Sequence, residues 1–430
     1  LFRRDPFFAR YEQGIINREL LLTLVAVSAQ IQGAATVCGS PALKSFLDYL
    51  LLSCSLEEES VHGAVSLEEF QKACLLAFYG FHQYPGTKAW QRISDITRKA
   101  YQYGLHQIDN RDICPLYDRN QMMDEEAEDW RCLWWCIYCL DSYCNITAAT
   151  PFVVELESVR TALVQTSRPN GNNHESSGAI FLPVEPEMLW KITKEIISRP
   201  EDPNPNIHIV TTTLLKEAGA LLRLWKQNPS DRLKVRFSNL EDNLSAVRLA
   251  LPSRYLNVAR NAVVNESTAK HHARLICILH IHAARLLISL PVQESVNSAE
   301  WLSRWQGTIE HCEEVVAVVR QWKAQQCLSV DPAICFIISG VITILHLHSR
   351  DRTNLNSELQ SRVQMQKDLL KLFLEQFASI WHLPRLLIGM FMPLPPTFNC
   401  RVNMIPSQYH LKSCLRDSPT LSQQRISISF

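Results

Sequence analysis

Residues 124–144 read DEEAEDWRCLWWCIYCLDSYC, and the spacing inside that stretch decides the fold class. Trp130, Leu133, Ile137, Leu140 and Cys144 recur at three- and four-residue intervals, which is one stripe of an α-helix. Trp134 and Trp135 stand beside the stripe, so the helix is apolar around most of its middle. A helix of that kind has to be buried between other helices. Each tryptophan can bury ~150–250 Å² there.

The same period extends outward in both directions. Residues 87–103 place Ala89, Ile93, Ile96, Ala100 and Tyr103 on one face, and Gly104 follows as a left-handed stop. Residues 19–32 repeat the pattern with Leu20, Leu24, Val27 and Ile31. Ser66 and Glu69 have the spacing of a capping box and open another helix. Further helices are predicted over 209–226, 268–289, 299–325, 332–348 and 358–381. Period-2 strands bounded by glycine turns are absent from this reading, and 13 glycines in 430 residues are too few for a turn-rich sheet protein. The expectation is an all-α, large multi-helix bundle or array with no significant sheet.

Organisation follows from the breaks in the period. Residues 166–187 carry Asn170, Gly171, Asn172 and Asn173 and suit an exposed loop, and Pro200, Pro203 and Pro205 make 199–206 non-helical on this reading. A regulatory-sized helical domain is expected over 1–392, with a loop-rich linker near 166–206 and an irregular tail over 393–430. The chain begins with Leu1 rather than methionine and is read as a piece of a longer protein.

Composition narrows the class of function. Hydrophobic residues make up 47% of the chain, enough for a sizeable core. Lysine and arginine number 43 against 43 acidic residues, and that balance does not suit a stand-alone DNA binder. The 14 cysteines are scattered, as expected in a reducing compartment. The longest apolar run, 333–348, is shorter than the ~20 residues of a membrane span, so no membrane association is expected.

Several clusters could carry chemistry. Cys132, Cys136 and Cys139 share a helix face, but no second cysteine pair completes a zinc site, and they read as core. The acidic run Asp124–Glu128 has the spacing of the Mg²⁺-binding motif of helical terpene synthases; acids in a first helical turn also complement its dipole and face water. His280 with His282, and His346 with His348, are two residues apart and fall on different faces, so neither pair chelates. His271, His272, Lys270 and Arg274 read as a solvated basic patch. No catalytic constellation emerges.

A family resemblance runs through the middle of these motifs. Gln71, Leu75 and Leu76, then Ala89 and Trp90, then Ala100 and Gly104-Leu105-His106, are followed by Glu128, Arg131, Trp134, Trp135, Leu140 and Asp141. The succession resembles the fungal-specific transcription factor domain, the all-helical middle homology region of fungal zinc-cluster regulators. Phe181-Leu182-Pro183 and HIHAARLLISLP over 280–291 are similar to later parts of that family. Two departures stand out: the family's arginine run is reduced to Arg131, and its Gly-Arg-Pro is replaced by Ala148-Ala149-Thr150-Pro151.

The resemblance implies a nuclear, non-catalytic regulator of RNA polymerase II transcription, with zinc and DNA contacts only in a cluster missing from these residues. It further implies a homodimer, a small-molecule effector or a co-regulator as partner. Two other readings remain beside it, a co-regulator or repurposed small-molecule-binding protein lacking the cluster, and a terpene-synthase-like enzyme. Arg131 is placed to cover an indole or pair with Glu128, and Asp141, near the expected helix end, to accept hydrogen bonds from a loop or an arginine.

Overall fold

The computed structural model describes residues 1–33, 41–53, 66–110, 112–114, 124–165, 178–290, 298–328, 330–350 and 357–390. Among them are fifteen α-helices and no strand. The first group is α1 (Arg4–Glu12), α2 (Arg18–Ile31), α3 (Pro41–Ser53), α4 (Leu67–Gln83), α5 (Thr87–Gln102) and α6 (Asp124–Ala148). Then come α7 (Leu189–Ser198), α8 (Asn204–Gln227), α9 (Asp231–Ala250), α10 (Ser253–Leu256) and α11 (Thr268–Ser289). The last are α12 (Ser298–Val319), α13 (Ile334–Arg350), α14 (Ser357–Ala378) and α15 (His382–Gly389).

Local chemistry sets the helix ends. Ser66 accepts the Glu69 amide while the Glu69 carboxylate accepts the Ser66 amide at 2.7 Å, a complete capping box opening α4. Gly104 adopts φ +76° after α5, the left-handed stop its type favours. The stripes read from sequence point inward. Ala89, Ile93, Ile96 and Ala100 of α5 are buried, as are Trp130, Leu133, Ile137, Leu140 and Cys144 of α6.

Neighbour packing runs from α2 through α4, α5 and α6 to α8, then through α11, α12, α13 and α14 to α15. Helix α15 then packs back on α4, so the array closes on itself. At the closure His382 donates its amide to Gln83 at 3.0 Å, and Trp381 meets Phe78 edge-on at 5.8 Å. One apolar core runs through both halves, from Ala26 to Leu387.

Several expectations need correction. Helix α8 starts at Asn204, inside the proline-rich stretch, because Pro205 lies in its first turn, where no intrahelical N–H bond is lost. Helix α7 also lies within the interval expected to be linker, with Leu189, Thr193 and Ile196 buried. The helix expected over 299–325 ends at Val319 and is followed by a 3-10 turn over Ala324–Leu328. The loop centre 166–177 and the expected tail 393–430 lie outside the described residues. Helix α11 is long and apolar enough to cross a membrane by length and composition, but 67% of that window is buried in the fold, between α8 and α12.

Candidate functional site

The residues of the family-like motif converge on a single feature, an extended strap of chain over 149–165 that follows α6. Its only regular structure is one 3-10 turn at Leu156–Ser158. Ala149 turns the chain out of α6 at φ +52°, a conformation that L side chains adopt reluctantly. Thr150 then bonds Asn145 at 2.6 Å, and the Trp90 indole donates to Asn145 at 3.0 Å. Pro151 follows, exposed.

Asp141 sits two turns before the end of α6, not near it. Its carboxylate accepts the Val153 amide at 3.3 Å and the Val154 amide at 3.2 Å. From α8, Lys216 donates to the Val154 carbonyl at 2.7 Å. Opposite charges therefore hold the two polar groups of one strap residue. Burial raises the Asp141 carboxyl against the pull of Lys216 and the two amides. Burial likewise brings the Lys216 amine down to about 8, against the pull of Asp141.

A second knot ties the far end of the strap. Arg131 bonds Asp109 through Nε at 3.0 Å and again through Nη2, and Glu128 through Nη1 at 2.8 Å. Each carboxylate then accepts a strap amide: Asp109 from Ala162 at 2.7 Å, and Glu128 from Gln165 at 2.7 Å. Burial raises the Glu128 carboxyl even beside Arg131. The Trp135 indole donates to the Ala162 carbonyl at 2.7 Å. Asn206 of α8 takes both polar groups of Val164, at 3.0 and 2.8 Å.

Gly104, Leu105 and His106 lie under this knot. The His106 carbonyl accepts the Arg160 amide at 2.6 Å, and Asp109 donates its own amide to the Arg160 carbonyl at 3.2 Å. Leu105 is fully buried. The His106 ring is tilted against Tyr101 at 4.6 Å, and Tyr101 meets Trp134 edge-on at 5.6 Å. Burial lowers the His106 imidazole. Sequence reasoning missed Asp109, Asn206 and Lys216, and Thr161, whose hydroxyl donates to the Leu105 carbonyl at 2.6 Å. Their partners lie tens of residues away in the chain, so no local spacing marks them.

The other candidate clusters resolve differently. Glu128 faces inward with both oxygens engaged, while Glu125 and Glu126 are exposed, so the acidic run does not act as one set. Cys132, Cys136 and Cys139 are half-buried free thiols on α6, and burial pushes Cys132 up to about 12. Among the described residues no group of three or more His, Cys, Asp or Glu is placed to hold a metal ion.

The expected solvated patch on α11 is instead buried: His271, His272 and Arg274 are 2%, 1% and 3% exposed. The segment 255–266 folds over His271 and Arg274, while His272 meets Trp322 edge-on at 4.8 Å and accepts the Lys323 amide at 3.2 Å. Arg274 pairs with Glu266 at 2.8 Å and donates to the carbonyls of Tyr255 at 2.9 Å, Ala259 at 3.0 Å and Asn257.

Between α6, α8, α11 and α13 lies a cavity of ≈110 Å³. Its floor is buried and holds Tyr143 and His280, whose Oη and Nε2 are 3.2 Å apart. Tyr143 also meets His208 at 2.9 Å, and His280 Nδ1 meets Thr211 at 3.2 Å. Burial holds His280 well below the usual imidazole value. Arg223 and Lys226 lie on the cavity wall toward the C-terminal end of α8.

No curated protein and no solved structure matches the chain. Residues 7–196 match the family model described as fungal specific transcription factor domain. The match starts in α1 and ends in α7, so it takes in α6, the strap and every motif residue that holds it. That family is a transcription-regulator domain and not a known enzyme family. Residues 7–196 are therefore similar to the fungal specific transcription factor domain, a regulatory region of fungal transcription factors.

Proposed function

We propose that the chain regulates RNA polymerase II transcription in the nucleus, through a zinc-cluster DNA-binding module supplied outside these residues. The observation that carries this reading is the family match over 7–196, within which Gly104, Leu105, His106, Glu128, Arg131, Trp134, Trp135 and Asp141 pack around one strap. On this reading those residues are scaffold. The polar atoms of Glu128, Trp135 and Asp141 end on strap backbone groups, and Arg131 is taken up by Asp109 and Glu128. A net charge of zero fits a chain that leaves phosphate contacts to another module. Regulation then passes through self-association, a co-regulator or a small-molecule effector.

A tethering experiment tests this. Fused to a heterologous DNA-binding domain, the chain should change transcription from a reporter bearing that domain's site, relative to the domain alone. Alone, it should give no salt-sensitive shift of random duplex DNA at micromolar concentration. Tight duplex binding by the unfused chain, or a tethered chain without effect on the reporter, would count against the proposal.

A further inference from the structure

We infer that the cavity between α6, α8, α11 and α13 is a binding site for a small amphipathic carboxylate, with the acid group on Arg223 and Lys226 and the apolar body inside. The lining supports this on three counts. It is mostly aliphatic, with Ile146, Leu222, Ile334 and Phe336 among its walls. Among the described residues its only charged side chains are Arg223 and Lys226, both cationic, and the lining includes no carboxylate. The Arg223 Nε is buried without a hydrogen-bond partner, and neither cation has an ion-pair partner among the described residues.

A buried guanidinium nitrogen left unsatisfied is unfavourable unless a ligand meets it. Arginine presents a planar fork that matches a carboxylate in two parallel bonds. The walls grade from floor to rim. Tyr143, Leu215 and His280 are buried, Arg223 is half-buried and Lys226 is exposed, so the charged end lies toward solvent. An apolar cavity of ~150 Å³ accommodates a benzene ring. At ≈110 Å³ this one suits a short aliphatic body with its head outside. Gly219 keeps the wall thin on the α8 side, where a Cβ would come within 3.1 Å of Ile146.

The cavity lies largely beyond the family-matched residues, and the inference concerns binding alone, so it stands or falls apart from the transcriptional reading. The test is calorimetric titration of the purified chain with octanoate and, in parallel, 1-octanol. The expected result is saturable octanoate binding at a single site, with octanol weaker by about tenfold or more, the worth of a charge-assisted hydrogen bond. Arg223→Gln, with its fold checked by unfolding midpoint, should bring octanoate down to the octanol level. Ala283→Phe, which fills the cavity from α11, should abolish binding of both. Non-saturable uptake, equal affinity for acid and alcohol, or an unchanged acid preference in Arg223→Gln would overturn the inference. The acid-versus-alcohol comparison is made on the unmodified chain and decides the matter even where a variant fails to fold.

Discussion

Helices α6 and α11 each cross the core, and each uses one buried arginine to fasten a segment of irregular chain, but by opposite wiring. Arg131 of α6 touches no strap group itself. It orients Asp109 and Glu128, whose oxygens collect the strap amides of Ala162 and Gln165. Arg274 of α11 collects carbonyls directly, from Tyr255, Asn257 and Ala259, and keeps one carboxylate, Glu266, as counter-charge. Irregular backbone inside a core must have its polar groups met. An arginine meets carbonyls by itself, whereas amides need an acceptor between, here two carboxylates. The side-chain exposures, 14% for Arg131 and 3% for Arg274, place the direct clamp deeper.

Replacing the two arginines separates these schemes. Arg274→Leu leaves three carbonyls unmet and strips Glu266 of its counter-charge, leaving it only the Asn261 amide, and should cost ~3–5 kcal/mol. Arg131→Leu should cost less, about 2–3 kcal/mol, because Asp109 and Glu128 keep their amide donors. Urea unfolding of both variants checks the order, and a larger loss at Arg131 would invert the comparison. On the same helix, Trp135→Ala removes a buried indole and should also lower stability by ~3–5 kcal/mol. Trp135→Phe keeps most of the packing, loses only the bond to Ala162, and should cost nearer ~1 kcal/mol. Equal losses in the two would mean the hydrogen bond, not the ring, secures the strap.

These helices also mark where sequence reading succeeds. Helix α6 was legible because its stripe is dense and its tryptophans leave no polar face to misassign. Its partner Asp109 was not, since an ion pair spanning 22 residues leaves no periodic trace. On α11, three polar residues in four read as surface, and only the fold of 255–266 over His271 and Arg274, with Trp322 over His272, reverses that. The start of α8 was hidden for a different reason. Three prolines in eight residues signal a break, and only cap geometry shows that the last of them sits inside the first turn. The cavity was not legible at all, because its lining comes from four helices distant in the chain.

Acid probes the packing of α11 against α8. Burial holds His208 and His280 below the usual imidazole value, most strongly His280. As pH falls through ~6.5 the unfolded chain takes up protons that the folded chain refuses, so stability should fall by up to ~1.4 kcal/mol per pH unit for each site. Urea midpoints at pH 7.0 and 5.5 read this slope, and His280→Gln should make it shallower. A flat response would mean these imidazoles are free to protonate in the folded chain. The smallest effect expected lies at the end of α6. Ala149→Gly relieves the positive φ and should change stability by roughly +0.5 to +1 kcal/mol, after the greater freedom of glycine in the unfolded chain is set against it. A loss instead would show that the Ala149 side chain contributes packing that outweighs the strain.

Hydrogen exchange of individual strap amides in Arg131→Leu tests most directly whether the family motif of α6 is a clamp on the strap. Asp109 and Glu128 hold the amides of Ala162 and Gln165, while Asp141 holds those of Val153 and Val154 independently of Arg131. The clamp predicts that exchange at Ala162 and Gln165 accelerates by roughly tenfold or more in the variant, the equivalent of ~1.4 kcal/mol or more of local opening, with Val153 and Val154 changed much less. Unchanged protection at Ala162 and Gln165, or equal acceleration at all four amides, would contradict it.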